Sequence, residues 1–392
     1  MRIFIVGAFY TYWGNWHPSD MDNPDSPNQV AGGETAMVKT AEGFARNGCE
    51  VYVFYHGQTA RYKGVDYLPI GMYEVMATNL EHDLLLSWEE PRVFNIASRS
   101  KMRWLAFQCN HSEAGIFDHI IDNYIFVSQW QAASMVSRDR TLDTRKILLC
   151  PNGIDLRRYE QAHQPPVPHR IIHSSSPDRG LHHLLRAWPK IREAVPDAEL
   201  LCVYKMSPWL KIIKERADQG WILNTTDRGM EVARLLEELA GQGVHYLDGT
   251  GQWPLARLQM ESGAMVYPCD PVAPTEGFSI SILEGLAAGI PVVSTDADAL
   301  GELWGDVTLQ LKRPVQPEEL ADAVVAVLTD DSLRADLIAR GKERASLLSW
   351  DAVGDTFYNT MMAKLLPEPP RSEEKAVDSE SSSGEPQVQL PD

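Results

Sequence analysis

The feature that most constrains this chain is an alternation that occurs twice: a short apolar, β-branched run, a stretch with helical apolar spacing, then another short run. In the amino-terminal half, residues 2–6, 51–55, 82–87, 104–107 and 124–128 read as strands, and 35–47 and 129–136 as helices. A second series follows, with strands at 170–173, 199–204, 244–246, 263–268 and 291–294 and helices at 181–194 and 279–288. Strands separated by helices pair in parallel, so each half predicts an α/β layer structure. The proline-rich stretch QAHQPPVPH, residues 161–169, divides the two series. Residues 350–366 read as a last amphipathic helix.

Composition narrows the function classes. With 44% hydrophobic and 23% charged residues, a chain of 392 residues has ample material for two cores. No apolar run approaches the roughly 20 residues of a membrane span, and residues 1–6 are too short for a secretory signal, so no transmembrane segment and a cytoplasmic location are expected. Five cysteines without a C-x-x-C pair fit free thiols in a reducing compartment. The net charge of −18 argues against nucleic acid as a partner. Residues 367–392 carry seven acids against two bases and almost no bulky apolar groups, the composition of a disordered acidic tail.

The segment TEGFSISILEGLAAGIPVVST, residues 275–295, carries Glu276 just before an apolar run and Glu284 inside it. A glutamate that opens a helix is common. Glu284 is different, because it stands among Ile280, Ile282, Leu283 and Leu286, where a carboxylate needs a partner. Eight residues are not a whole number of helical turns, so Glu276 belongs to the preceding loop. Gly277, Phe278, Ser279 and Ile280 then offer amides to an anion at a helix N-terminus. Two carboxylates for hydroxyl groups beside an amide cradle for phosphate describe a nucleotide-sugar site.

These residues resemble the glutamate-x7-glutamate motif of retaining glycosyltransferases of family 4, whose architecture is two Rossmann-like domains facing across a cleft (GT-B). The commoner form reads E-G-F-G with L-E-A-M-A-A-G-x-P-V-V; here Ser279 replaces a glycine and Gly285 an alanine. The resemblance implies a nucleotide-diphosphate sugar as co-substrate, no metal and no other cofactor. Glu276 would bind hydroxyls of the donor sugar and Glu284 the nucleotide ribose, and a same-face attack would pass the acceptor proton to the departing phosphate. It also implies acceptor contacts in residues 1–157, a linker at 158–168, donor contacts in 169–345, and a helix at 346–366 returning to the first domain.

Other residues join this reading. Ala31-Gly-Gly-Glu34 precedes a helix, so Gly32 and Gly33 allow the backbone to approach a ligand, with a simple turn as the alternative; the resemblance implies that they lie near the donor phosphates and the acceptor. Arg179-Gly180 follows a strand, where a guanidinium can hold a diphosphate. The family usually has an arginine early in this loop and a lysine before the glycine; here Ser174 holds the early place and Arg179 stands where the lysine would be. Lys205 is the candidate for the missing cation. Relatives also place a histidine after the fourth or fifth strand; here His111, Gln108 and Asn110 compete for that place. Tyr10, Tyr12, Trp13 and Trp16 form an aromatic loop suited to a sugar acceptor or to packing. The acceptor itself, whether carbohydrate, lipid-linked, protein or small molecule, is not legible.

Three rival readings stand beside this one. Asp296-Ala-Asp298 would serve a metal-dependent, single-sheet transferase. A sensor or scaffold that binds nucleotide sugar without turnover would keep Glu284 and the cradle. A dehydrogenase would need G-x-G-x-x-G after a first strand, which neither half shows.

Overall fold

The computed structural model describes residues 1–7, 16–26, 30, 32–107, 114–218 and 224–366. The first sheet contains β1 (Arg2–Val6), β2 (Glu50–Tyr55), β3 (Ala60–Tyr62), β4 (Val65–Pro69), β5 (His82–Trp88), β6 (Ser100–Ala106), β7 (Asn123–Phe126) and β8 (Ile147–Leu149). Their order is β3-β4-β2-β1-β5-β6-β7-β8, and apart from the antiparallel β3–β4 pair every neighbour is parallel. Its helices are α1 (Gly32–Arg46), α2 (Tyr73–Asn79) and α3 (Gln129–Arg138). In β1, Ile3 and Ile5 enter one apolar cluster while Phe4 and Val6 enter the cluster on the other face. A strand covered on both faces has no polar side to show, which is why it reads as an unbroken apolar run.

The second sheet contains β9 (Val167–His173), β10 (Glu199–Tyr204), β11 (Val244–Asp248), β12 (Ser262–Tyr267), β13 (Val292–Thr295) and β14 (Leu309–Leu311). All are parallel, in the order β11-β10-β9-β12-β13-β14. Helices α4 (Leu181–Ala194), α5 (Met206–Asp218), α6 (Asn224–Glu238), α7 (Gln252–Met260), α8 (Ile280–Ala288), α9 (Leu300–Trp304), α10 (Pro317–Thr329) and α11 (Asp331–Ser346) belong to it. This is the doubly wound order, whose direction reverses between β9 and β12. The crevice for a ligand lies at the carboxyl ends of those two strands.

Helix α12 (Trp350–Leu365) leaves the second sheet and packs on α1. Gly43 and Gly354 face each other so closely that a Cβ on Gly43 would stand 2.6 Å from the Gly354 Cα. Arg46 fastens the crossing, with Nη1 2.6 Å from Asp351 Oδ1 and Nη2 2.8 Å from Asp355 Oδ1.

Some elements run beyond their expected bounds for local reasons. β6 begins at Ser100 rather than residue 104, because residues 100–103 alternate buried and less buried positions and so lack a continuous apolar run. The β3–β4 hairpin turns on Lys63 and Gly64, both at positive φ (46° and 80°), between strands too short to register as a pattern. β9 opens at Val167, inside the proline-rich stretch expected as linker, and its Pro168 is accommodated where the register with β12 shifts.

Candidate active site

The loops after β9 and β12 meet the start of α1 around a cavity of about 550 Å³ between the two sheets. Gly32 and Gly33 come from the first domain; Arg179, Lys205, Glu276, Gly277, Phe278, Ser279, Ile280 and Glu284 come from the second. The absence of a side chain at Gly32 lets the N-terminus of α1 approach that of α8, since a Cβ there would lie 3.0 Å from Ile280 Cδ1. Two helix N-termini therefore face one space, an arrangement that favours an anion.

Glu276 is buried in the loop before α8. The Tyr267 hydroxyl, at the end of β12, donates to its Oε2 at 2.7 Å, and Arg179 Nε lies 3.8 Å from the same oxygen. Burial pushes the Glu276 carboxyl above the usual range, against the pull of Arg179 and the Tyr267 hydroxyl. Arg179 also donates through Nη1 to Thr275 Oγ1 at 2.6 Å. The loop backbone is fixed by Asp298, whose Oδ2 accepts from the amides of Thr275 (2.9 Å) and Glu276 (3.0 Å).

Glu284 projects from α8 and receives the Gln259 side-chain amide at 3.2 Å; the same amide donates to Ser174 Oγ at 3.1 Å. Burial raises its pKa to about 7, opposed by Arg158 and that hydrogen bond. Glu34, in the first turn of α1, is wholly buried, and burial again raises its pKa to about 7 against the pull of a backbone hydrogen bond. The ordinary value for both is 4.5, so folding favours the protonated form. Their stabilising contribution is complete below about pH 4.5 and is lost as pH rises to about 7. Wild-type stability is therefore expected to fall across that window, and Glu284→Gln to flatten part of the slope, as read by urea unfolding at pH 4.5, 6 and 7.5.

Ser279 caps α8 at φ 68°, in the left-handed region, with its hydroxyl accepting from the Ile282 amide at 3.3 Å. That conformation explains why glycine suits this position.

Not every expected residue lines the cavity. Gly180, at φ 105°, lies outside the lining and instead brings the start of α4 against the Pro268 carbonyl. Trp16 packs on Tyr55, ring centroids 5.1 Å apart, in the first-domain core rather than on the cavity. His111, Tyr10, Tyr12 and Trp13 lie outside the described residues. Asp296 and Asp298 do not converge: Asp296 accepts from the Arg313 amide and pairs with Lys312 (3.1 Å), while Asp298 braces the loop. Among the described residues, ligand atoms of His182, His183 and Asp270 lie within 4.8 Å of one another, but Arg228 and Arg313 share Asp270 and oppose a cation there.

Tyr267, Gln259 and the bracing role of Asp298 escaped the sequence. Tyr267 sits at the end of an apolar pattern that announces only a strand, Gln259 lies in α7, a helix the sequence reading did not include, and the Asp298 contact depends on tertiary folding.

Residues 170–330 match the family model described as glycosyl transferases group 1. The phosphatidyl-myo-inositol mannosyltransferase of Mycolicibacterium smegmatis is 30% identical over 212 residues, covering 52% of this chain and 48% of that protein. The MMP alpha-(1->4)-mannosyltransferase of Mycolicibacterium hassiacum is 27% identical over 229 residues, covering 57% and 49% respectively. The chain thus spans about half the length of the curated relatives it matches. Among solved structures, sucrose-phosphate synthase from Thermosynechococcus elongatus superposes with TM-score 0.67 at 15% identity, over 93% of this chain and 99% of that one. HepE of Anabaena, solved in complex with UDP-glucose, superposes with TM-score 0.65 at 16% identity, over 93% of this chain and 100% of that one. At such identities these two show the fold alone. The chain therefore has the GT-B architecture, and its residues 170–330 are similar to the family described as glycosyl transferases group 1.

Proposed function

We propose that the protein is a glycosyltransferase that moves a sugar from a nucleotide-diphosphate donor to an acceptor hydroxyl, with retention of anomeric configuration and without a metal. The observation that carries this reading is the meeting of Glu276, Arg179, Lys205 and Glu284 in one cavity at the switch point of the second sheet. Glu276 accepts hydrogen bonds from the donor sugar, and Glu284 from the ribose. As the diphosphate departs, Arg179, Lys205 and the amides at the start of α8 stabilise its growing charge, a preorganised electrostatic role. The acceptor approaches from the first domain, and the departing phosphate takes its proton.

The relatives' names favour a mannosyl donor, and the phosphatidyl-myo-inositol in one of them supports a polyol acceptor. Among the described residues no helix is long and apolar enough to cross a membrane. Four described cysteines are buried and unpaired, which supports a reducing, cytosolic setting.

A sensor that binds without turnover remains a second reading, because Arg179 is already engaged by Thr275 and Glu276. Phosphorus and proton NMR of the protein with GDP-mannose, UDP-glucose and ADP-glucose, plus EDTA and a panel of polyols and saccharides, separates the two. Release of nucleoside diphosphate with a new α-anomeric proton signal supports transfer. Binding without release from any pair favours the sensor, and activity abolished by EDTA contradicts the metal-free mechanism.

A further inference from the structure

The loop that carries Glu276 is held from both domains. From its own domain, Asp298 accepts from the amides of Thr275 and Glu276, the Ala299 amide donates to the Glu276 carbonyl at 3.2 Å, and Trp304 Nε1 donates to the Phe278 carbonyl at 2.6 Å. From the first domain, Arg138 at the end of α3 donates through Nη2 to the Pro274 carbonyl at 3.0 Å. At the other end of the same helix, Glu302 of α9 reaches across the domain boundary: Oε1 accepts from the Gln129 amide at 2.9 Å and Oε2 from the Trp130 amide at 2.7 Å. Between these ends, Val127 shares an apolar cluster with Phe278 and Trp304, and a Cβ on Gly277 would lie 3.3 Å from the Gln131 side chain.

We propose that Arg138 and Glu302 are positioning residues that make the sugar-binding part of the site conditional on contact between the domains. Helix α3, docked at both ends, backs the 274–278 loop so that Glu276 is presented to the donor sugar. The chemistry suits a reversible latch. A carboxylate on two helix amides and a guanidinium on one carbonyl are favourable contacts, yet both lie at exposed positions where water replaces them at little cost when the domains part. The nucleotide contacts expected at Glu284 are made within the second domain and do not need the latch.

This inference rests on the donor-site reading above, and the experiment keeps the two apart. GDP, UDP and ADP, and then GDP-mannose, UDP-glucose and ADP-glucose, are titrated into wild type, Glu302→Gln and the Arg138→Ala/Glu302→Gln double variant, with small-angle scattering on the same samples. Apparent affinity for a ligand that needs the closed state scales with the fraction closed. The expected result is the extra affinity contributed by the sugar reduced roughly tenfold, a clearly smaller loss of nucleoside diphosphate affinity as the start of α1 moves away from the phosphates, and a larger radius of gyration in the double variant. Sugar-dependent affinity equal to wild type in the double variant overturns the latch while leaving the donor site standing. Equal loss of nucleoside diphosphate affinity also overturns it, because it would mark Arg138 and Glu302 as general supports of the second domain. If wild type binds none of the six ligands, the donor-site reading fails, and the latch, which rests on it, falls too.

Discussion

Replacing Glu276 by alanine is expected to lower sugar transfer by two to three powers of ten, about 3–4 kcal/mol of transition-state stabilisation. The size follows from position. Glu276 is buried, so the hydrogen bonds proposed between it and the sugar would form where water does not compete. Removing it also leaves the Tyr267 hydroxyl and Arg179 without their carboxylate. Glu276→Gln should fall between wild type and alanine, because the amide oxygen still accepts from Tyr267 while the charge opposite Arg179 is lost. Steady-state assays with the active donor check this; alanine activity within about threefold of wild type would remove Glu276 from the catalytic account.

The second large effect is structural. Gly180→Ala is expected to destabilise the protein by about 3–5 kcal/mol and to weaken nucleotide binding with it. Gly180 sits at φ 105°, which side chains rarely adopt, and an added Cβ would overlap the Pro268 carbonyl oxygen, part of a backbone that cannot move without shifting the start of the Glu276 loop. Gly48→Ala provides the contrast. Its φ of 81° carries strain, but nothing lies within 4 Å of the added Cβ, so a cost of only about 1 kcal/mol is expected. Chemical denaturation of the two variants measures the difference, and equal costs would show that the close approach at Pro268 is unimportant.

What the sequence made legible follows a physical division. Periodicity is local, so β1, the helix at 181–194 and the strand at 199–204 could be read directly, and the lone carboxylate at Glu284 marked itself by standing in an apolar run. The glycines at 32 and 33 were readable as places of close approach, and the structure brings Gly32 to Ile280. By contrast, the partner of a buried polar group is set by tertiary folding. Asp298 illustrates the limit: beside Asp296 it looks like half of a metal-binding pair, yet its oxygen is taken up by two loop amides. Trp16 shows the same for aromatics, since the sequence could not say whether it faced a ligand or Tyr55. The contact between α3 and α9 joins residues 129 and 130 to residue 302, a pairing for which local pattern holds no signal.

The central claim is that the cavity between the sheets holds a nucleotide-diphosphate sugar through the 276–284 segment. Calorimetric titration of UDP, GDP and ADP, each with and without its sugar, into wild type and Glu276→Ala in the presence of EDTA tests it most directly. The account predicts binding of one nucleotide, added affinity from its sugar, and loss of that added part alone in Glu276→Ala. Absence of binding by every nucleotide, or sugar-dependent affinity that survives in Glu276→Ala, would contradict it.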